Sequence, residues 1–282
     1  VPIAKILGKR TIGKISLMGT DDPVSLSEGI LGRFRLLIMR RLDIWISLTA
    51  EAIDTCLNVG IPEERIVQIT NGVKCKKFSP IDDKSRSQIL KEYNIEGRFV
   101  VLFAGIISYR KGVDLIIEAL PTLFKKNANL TFVFVGPCSR KENPQVDEEL
   151  VEKLRSLSSN IIVTGFIDNP IDLIRSANVF VLPSRKEGLS NALLEAMSSG
   201  LPIVVTNHSW LEDVGIDGEH FLSFPEGSSD DLTERITRLI ENPALRKDLS
   251  ARTREKIKQD FCLPVIAKRY HELYDNITTG IS

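Results

Sequence analysis

Six short apolar segments recur along the second part of the chain, and stretches with helical spacing of hydrophobic residues separate them. The run Val179-Phe180-Val181-Leu182 is continuously apolar, which is typical of a strand buried on both faces of a parallel sheet. The predicted strands are Phe99 to Ala104, Leu130 to Val135, Ile161 to Thr164, Val179 to Leu182, Ile203 to Val205 and Phe221 to Ser223. Strands that alternate with helices predict an α/β fold with a parallel, doubly wound sheet.

The first part of the chain shows a shorter version of this pattern. Its predicted strands are Thr11 to Ser16, Ile44 to Ser47 and Ile66 to Ile69, and its predicted helices are Val24 to Arg41 and Ala50 to Asn58. The pattern breaks near Ser79-Pro80, so we predict one domain over residues 1–79 and a second over residues 80–262. Three helices are predicted near the end of the chain, over Asp230 to Glu241, Ala244 to Gln259 and Pro264 to Asp275.

Two glutamates, Glu187 and Glu195, follow the predicted strand that ends at Leu182. Pro183 ends the strand and Ser190 suits the N-cap position, so Glu187 lies on a loop and Glu195 lies about one turn inside the next helix. In an open α/β sheet, ligands bind beyond the carboxyl ends of the strands, where this loop lies. Both carboxylates are therefore predicted to face one pocket at the mouth of the sheet.

The start of this helix has the chemistry of an anion site. The backbone N–H groups of Leu189, Ser190 and Asn191 point out of the helix start, and together with the helix dipole they suit a diphosphate. Glu195 is placed to accept hydrogen bonds from two ribose hydroxyls, and Glu187 to hold a hydroxyl of a sugar. The alternative is that both glutamates are solvated surface acids, which the spacing alone does not exclude.

A second loop follows the predicted strand Phe99 to Ala104 and leads into a predicted helix from Val113 to Phe124. Gly105 comes directly after the strand, and a glycine there lets a ligand approach the backbone. Lys111 supplies a cation that can neutralise the charge of a departing nucleoside diphosphate. The alternative for this segment is an ordinary basic loop between a strand and a helix.

Together and in this order, the motifs resemble those of the retaining glycosyltransferases of family 4. That resemblance implies GT-B architecture with two facing Rossmann-like domains, of which the C-terminal one is complete here and the N-terminal one partial. It runs from about Arg41 to the end of the chain. It rests on Ile69-Thr70-Asn71-Gly72-Val73 with Phe78, Gly105 through Lys111-Gly112, Val163-Thr164-Gly165-Phe166, Pro183-Ser184, Glu187-Gly188, Glu195-Ala196-Met197 and Gly200-Leu201-Pro202.

The resemblance implies roles for the residues at matching positions. Glu187 would contact the donor sugar and Lys111 the phosphate, and these two are the candidate catalytic residues. Glu195 would hold the ribose. The other candidate donor-binding residues offer backbone groups or lie beside the phosphates and the base, and they are Gly105, Arg110, Gly165, Phe166, Ile167, Gly188, Leu189, Ser190 and Asn191.

Members of this family move a sugar from a nucleotide donor to an acceptor hydroxyl with retention at the anomeric carbon, usually without a metal or other cofactor. The resemblance implies a UDP- or GDP-sugar donor and a glycan or lipid-linked acceptor, in polysaccharide, lipopolysaccharide or glycolipid synthesis. Two other classes stay open. One is a nucleotide-sugar-binding module without catalysis, and the other, less favoured, is an epimerase or phosphorylase of the same architecture.

The chain departs from the family pattern at several positions. Ile106 stands where an arginine is common, and Arg110 is the candidate to compensate for it. Ser209-Trp210 replaces a glycine pair, and Lys74 replaces an aspartate. Three predicted strands are fewer than the family's first domain has, and residue 1 is Val, so we expect the chain to lack the start of its acceptor-binding domain and to be impaired in transfer. Residues 263–282 would form the family's helix that crosses back to the first domain.

Composition narrows the class of protein further. Lys plus Arg equals Asp plus Glu, 37 each, so bulk charge argues against a nucleic-acid partner. The sequence contains no signal peptide or membrane-spanning run, which indicates a cytoplasmic protein. The four cysteines are widely spaced and match no metal template, so we expect reduced thiols that serve in packing; they are Cys56, Cys75, Cys138 and Cys262.

One predicted helix mixes basic and apolar residues, over the stretch from Ile30 to Arg41. Leu31, Phe34 and Ile38 share one face of that helix, and Leu37 lies at the margin of that face. The favoured interpretation is a core helix with its arginines at the surface. The alternative is a peripheral contact with anionic lipid at the inner face of the membrane.

Overall fold

A computed structural model describes residues 1–16, 22–28, 30–138 and 144–279 of the chain. The first part contains a small parallel sheet of three strands in the order β1 (Ile12–Lys14), β2 (Ile44–Ser47) and β3 (Ile66–Gln68). Its helices are α1 (Pro2–Ile6), α2 (Pro23–Leu26), α3 (Gly32–Met39) and α4 (Ala50–Asn58). The Thr49 hydroxyl caps α4 by accepting a hydrogen bond from the N–H of Ala52 at 3.3 Å.

The single helix predicted from Val24 to Arg41 is wrong, because the structure has two helices there, α2 and α3. Helix α2 ends at Leu26, with Ser27 as its C-cap, and Gly32 at the start of α3 packs on the Ser27 carbonyl so closely that a Cβ would lie 1.7 Å from its oxygen. Gly29, between the two helices, lies outside the described residues. The short helix α1 was not predicted from the sequence.

The favoured interpretation of the basic stretch as a core helix is also not what the structure shows. The apolar side chains of Leu31, Phe34 and Leu37 are 59%, 60% and 52% exposed. Arg33 and Arg35 are exposed beside them. Among the described helices, none is both long and apolar enough to cross a bilayer.

The larger sheet contains six strands, which are β4 (Phe99–Ala104), β5 (Leu130–Val135), β6 (Ile161–Val163), β7 (Val179–Leu182), β8 (Ile203–Thr206) and β9 (Leu222–Phe224). Every neighbouring pair is parallel, and the order across the sheet is β6-β5-β4-β7-β8-β9. The predicted α/β class with parallel sheets is confirmed. Sequence order reverses direction between β4 and β7, which makes that pair the topological switch point of the sheet.

Helices cover both faces of the larger sheet. Alternate residues of β4 show why the strands of this sheet consist of continuous apolar sequence. Val100 and Leu102 belong to one buried cluster, and Val101 and Phe103 belong to another on the opposite face. The helices of this part are α5 (Asp83–Glu92), α6 (Val113–Lys126), α7 (Pro144–Leu157), α8 (Ile171–Ser176), α9 (Asn191–Ser198), α10 (Ser229–Glu241), α11 (Pro243–Asp260) and α12 (Leu263–Thr279).

The final helix, α12, packs on the small sheet. Ile266 and Leu273 of α12 share a buried cluster with Ile46 of β2 and with Ile69. The chain enters α12 beside the segment that follows β3, where Val73 donates to the Phe261 carbonyl at 2.8 Å. The domain boundaries at residues 79 and 262 stay predictions.

A disulfide bond lies at this crossing and corrects the expectation of four reduced thiols. Cys75 and Cys262 are bonded, although 187 positions separate them in the sequence. The physical reason is the pairing of Val73 with the chain around Cys262, which brings the two cysteines within 5.5 Å between their Cα atoms. Spacing along the chain did not reveal this contact. Cys56 agrees with the expectation, since its thiol is buried and burial raises its pKa to about 11.

Candidate active site

Most of the predicted site residues lie beyond the carboxyl ends of β4 and β7, the adjacent strands at the switch point, and Gly165 to Ile167 follow β6. The loop after β7 runs from Pro183 to Ser190 and leads into α9, and the Ser190 hydroxyl caps that helix by accepting from the N–H of Leu193 at 3.4 Å. Gly188, Leu189 and Ser190 are buried where this loop meets the helix. The strand, the loop and the helix start occur as the apolar run and the N-cap predict.

The loop after β4 lies directly against the loop after β7. Gly112, which precedes α6, has a φ of +69°. A Cβ at that position would lie 1.9 Å from the Pro183 carbonyl oxygen. Only glycine therefore allows the two loops to approach so closely. This contact sets the Lys111 backbone opposite the Glu187 segment.

The two predicted catalytic side chains form an ion pair. Lys111 Nζ donates to Glu187 Oε1, and Arg110 lies 3.7 Å from Glu187 Oε2. The Glu187 side chain is 8% exposed and that of Lys111 is 13% exposed, so little water screens the pair. Sequence reasoning placed both groups at one edge of the sheet but did not predict that they touch. Lys111 and Arg110 bring two cations to this corner, and cations suit an anionic ligand.

Glu195 lies about one turn inside α9 and lines a cavity of about 360 Å³. Burial raises the pKa of its carboxyl above the ordinary value, and the charge of Lys77 opposes that rise. Asn191 lines the same cavity. The cavity lining does not include Glu187, so the two glutamates serve neighbouring parts of one edge rather than one undivided pocket.

The other walls of this cavity were partly missed from the sequence. The predicted base-binding segment, Gly165 to Ile167, follows β6, and Phe166 within it is 71% exposed. The four residues directly after this segment form one wall of the cavity, and they are Asp168, Asn169, Pro170 and Ile171. Lys74 and Lys77 line the opposite wall, and of these only Lys74 attracted notice in the sequence, as a departure from the family pattern.

Residues in and near the small sheet form hydrogen bonds to segments that follow the strands of the larger sheet. The Asn71 side chain donates to the Leu189 carbonyl at 3.3 Å, which connects the segment after β3 to the loop that precedes α9. Asp213 accepts from the N–H of Ala50 at 2.9 Å and from the Gln68 amide at 2.7 Å. These bonds join β3, the segment after it and α4 to the segments that follow β7 and β8.

The positions that depart from the family pattern have defined places. Ile106 is 42% exposed on the loop after β4. Trp210 is buried beside His208, with ring centroids 5.9 Å apart, and His208 Nε2 is 2.7 Å from the Ser184 carbonyl oxygen. His208, which precedes the pair Ser209-Trp210, therefore connects this segment to the loop after β7, and Ser209 donates to Glu51. Within the described ranges, no group of three His, Cys, Asp or Glu side chains is arranged to hold a metal ion.

The sequence is similar to a known protein family and to several curated proteins. The profile of the family "Glycosyl transferases group 1" matches residues 85–256. Over 79% of the chain, it is 32% identical to the N,N'-diacetylbacillosaminyl-diphospho-undecaprenol alpha-1,3-N-acetylgalactosaminyltransferase of Campylobacter jejuni. Over 93% of the chain, it is 25% identical to the capsular polysaccharide biosynthesis glycosyltransferase CapM of Staphylococcus aureus. The matches span 58% and 63% of the lengths of these two relatives.

Solved structures with the same fold include ligand complexes. The structure of Anabaena HepE in complex with UDP-glucose superimposes with a TM-score of 0.85 over 97% of this chain and 74% of that one, at 18% identity. A Rickettsia africae glycosyltransferase superimposes with a TM-score of 0.80 over 98% of this chain and 79% of that one, at 17% identity. At these identities the likeness establishes the fold, which is that of GT-B glycosyltransferases.

Proposed function

We propose that this chain, which belongs to the family of group 1 glycosyl transferases, moves a sugar from a nucleotide donor to an acceptor hydroxyl. We propose further that the transfer proceeds with retention at the anomeric carbon. The observation that carries this proposal is the contact between Lys111 and Glu187 at the switch point, beside the start of α9. A cationic corner and a helix start together form a diphosphate site. The retaining course and the family 4 assignment are part of the proposal.

Three parts of the site have chemistry that suits the three parts of a nucleotide-sugar donor. The diphosphate lies at Lys111 and Arg110, the two cations beside the start of α9. The nucleoside enters the cavity that Glu195 lines, and the carboxylate accepts hydrogen bonds from two ribose hydroxyls. The transferred sugar lies at Glu187, on the loop side of the helix start. Each part offers one kind of group, and the order matches the order of groups in a sugar nucleotide.

The reaction needs charge neutralisation more than proton transfer at the leaving group. Negative charge grows on the diphosphate as the bond to the sugar breaks, and Lys111 with Arg110 stabilises that charge. Before the donor binds, Glu187 pairs with both cations, and these contacts keep the cations aligned without a ligand. When the diphosphate arrives, it shares Lys111 with Glu187, whose carboxylate then faces the sugar hydroxyls. No step of this scheme requires a metal ion.

The relatives suggest which substrates to test first. HepE is described in complex with UDP-glucose, so UDP-sugars come before GDP-sugars as candidate donors. The Campylobacter relative carries undecaprenol in its name, and CapM is named for capsular polysaccharide, so a lipid-linked or glycan hydroxyl is the acceptor class we propose. Such an acceptor would place the chain in the cytoplasm, at the inner face of the membrane. A non-catalytic binding module is not favoured, since these relatives are named as transferases.

A two-stage assay tests the proposal. A panel of UDP- and GDP-sugars is screened by thermal shift, and each hit is incubated alone and with lipid-linked or glycan acceptors while nucleoside diphosphate release is measured. NMR of the product then gives the anomeric configuration. We expect a stabilising UDP- or GDP-sugar, slow diphosphate release without acceptor, and retention in the product. Inversion would refute the retaining mechanism, and the absence of both binding and release would refute the function.

A further inference from the structure

Arg185, a residue that the sequence did not single out, joins the loop after β7 to the loop after β4. Its guanidinium donates to both carboxylate oxygens of Asp114, at 2.7 Å and 2.6 Å, and to the Tyr109 carbonyl at 2.7 Å. It also stacks over the Tyr109 ring, with the guanidinium carbon 3.9 Å from the ring centroid. Both ionic side chains are 19% exposed, so this is a bidentate pair in a partly desolvated place.

Further hydrogen bonds extend the connection toward the charged corner. The N–H of Arg185 donates to the Arg110 carbonyl at 2.9 Å, and the Arg110 side chain donates to the Lys186 carbonyl at 3.0 Å. Behind the loop, the buried carboxylate of Asp147 accepts from the N–H of Tyr109 at 2.9 Å. The segment just before Lys111 is therefore held from two sides.

Asp114 gives this connection a rigid anchor. It lies in the first turn of α6, the helix that follows the loop after β4. Arg185 itself lies two residues before Glu187. The Arg185–Asp114 pair thus fixes the distance between the segment that carries Lys111 and the segment that carries Glu187. Because Arg185 already uses its guanidinium on Asp114 and Tyr109, its role differs from that of a phosphate ligand.

We propose that Arg185, acting through Asp114 and Tyr109, is a positioning residue that holds Lys111 against Glu187 before the donor arrives. This inference rests on the proposed function, in which Lys111 meets the diphosphate. A cation fixed in place binds a diphosphate more tightly than one that must first be ordered, because less conformational entropy is lost on binding. Lysine at position 185 would keep the charge but lose the planar fork that engages two oxygens at once.

The first experiment measures loop order without any ligand. Hydrogen–deuterium exchange is compared for the wild-type chain, Arg185→Met, Asp114→Asn and the control Arg252→Met. Arg252 pairs with Asp248 at 3.0 Å on α11 and lies 3.9 Å from Glu219, and these side chains are about half exposed, so the control removes an ion pair that touches neither loop of the site.

We expect amide exchange in residues 105–112 and 183–187 to become at least about tenfold faster in both loop variants and to stay unchanged in the control. Unchanged exchange in Arg185→Met would overturn the inference. If that variant does not fold, Arg185→Lys and Asp114→Asn carry the same test, since both keep the size of the side chain nearly constant.

The second experiment separates positioning from general stability. UDP and UMP are titrated into each variant, because only UDP carries the β-phosphate that Lys111 would meet. We expect UDP affinity to fall about 10- to 100-fold in Arg185→Met, with Arg185→Lys intermediate and UMP affinity unchanged. An equal loss for UDP and UMP, or no loss for either, would contradict a positioning role. A wild-type chain that binds neither UDP nor GDP would refute the proposed function, while the exchange result would still decide whether Arg185 orders the loops.

Discussion

Replacing Glu195 by glutamine is expected to have two effects of opposite sign, weaker nucleotide binding and a more stable free chain. Burial raises the pKa of the Glu195 carboxyl above its ordinary value of 4.5, and Lys77 opposes the rise only in part. The ionised carboxylate is therefore less favourable in the folded chain than in the unfolded chain. Glutamine keeps the shape and removes the charge, so it removes that unfavourable contribution near neutral pH.

The pH dependence of this effect has a defined direction. A carboxyl whose folded pKa is raised adds stability below its unfolded pKa, and that contribution is lost as pH rises through the folded pKa. The free energy of unfolding of Glu195→Gln should therefore increase relative to that of the wild type as pH rises from about 4.5. Wild-type affinity for UDP should fall as pH drops through the raised pKa, since protonation removes the negative charge that strengthens both hydrogen bonds, and the variant should lack this dependence.

The magnitude of the binding loss follows from the bonds that the carboxylate would make. Two ribose hydroxyls donate to one buried carboxylate in the proposed complex, and charge-assisted hydrogen bonds of this kind contribute about 1.5–3 kcal/mol. Since about 1.4 kcal/mol corresponds to a tenfold change, UDP should bind about 10- to 100-fold more weakly to Glu195→Gln. Glutamine has nearly the same shape as glutamate, so we expect the cavity of about 360 Å³ to be kept and the loss to reflect the missing charge.

Isothermal titration with UDP and urea unfolding, each at pH 5 and pH 7, measure the two effects on the same samples. Glu234→Gln is the matched control, because Glu234 lies on α10 with 55% of its side chain exposed. A Glu195→Gln chain that binds UDP as tightly as the wild type would refute the ribose role. A chain less stable than the wild type at pH 7 would refute the argument from burial.

Four further outcomes are expected. Glu187→Ala should lower kcat more than it raises the donor KM, because its partner is the reacting sugar, and unchanged turnover would show the assignment to be wrong. Lys111→Ala should lower kcat/KM by about 100- to 1000-fold, with both constants affected. Breaking the Cys75–Cys262 bond with dithiothreitol, or by Cys75→Ser, should lower Tm. Closing a loop of 187 positions contributes up to about 5 kcal/mol to the free energy of unfolding, so an unchanged Tm would contradict this prediction. Phe34→Ser should weaken flotation with anionic liposomes if the exposed face of α3 contacts lipid, and equal flotation would exclude that contact.

The larger sheet could be predicted because its strands are buried on both faces. Such strands produce uninterrupted apolar runs, and β4, β5 and β7 have the predicted bounds. The start of the helix at Ser190 could be predicted because a side-chain cap depends only on residues three positions apart. The prediction of one long helix near the start of the chain failed because helical spacing does not register a close contact such as that of Gly32 with Ser27.

The parts of the site that the sequence missed depend on contacts between distant segments. Arg185 meets Asp114 across 71 positions, and Cys75 meets Cys262 across 187. Neither pair has a spacing that a local rule detects. The resemblance placed Lys111 and Glu187 at one edge of the sheet, but it did not indicate that they are bonded before any ligand is present.

A crystal structure of this chain with UDP bound is the most direct test of the central claim, that a cationic corner and the start of α9 grip a sugar nucleotide through its diphosphate. We predict a β-phosphate oxygen within hydrogen-bond distance of Lys111 Nζ, and ribose hydroxyls that donate hydrogen bonds to the Glu195 carboxylate. A UDP molecule bound elsewhere, with Lys111 still paired to Glu187 alone, would contradict it.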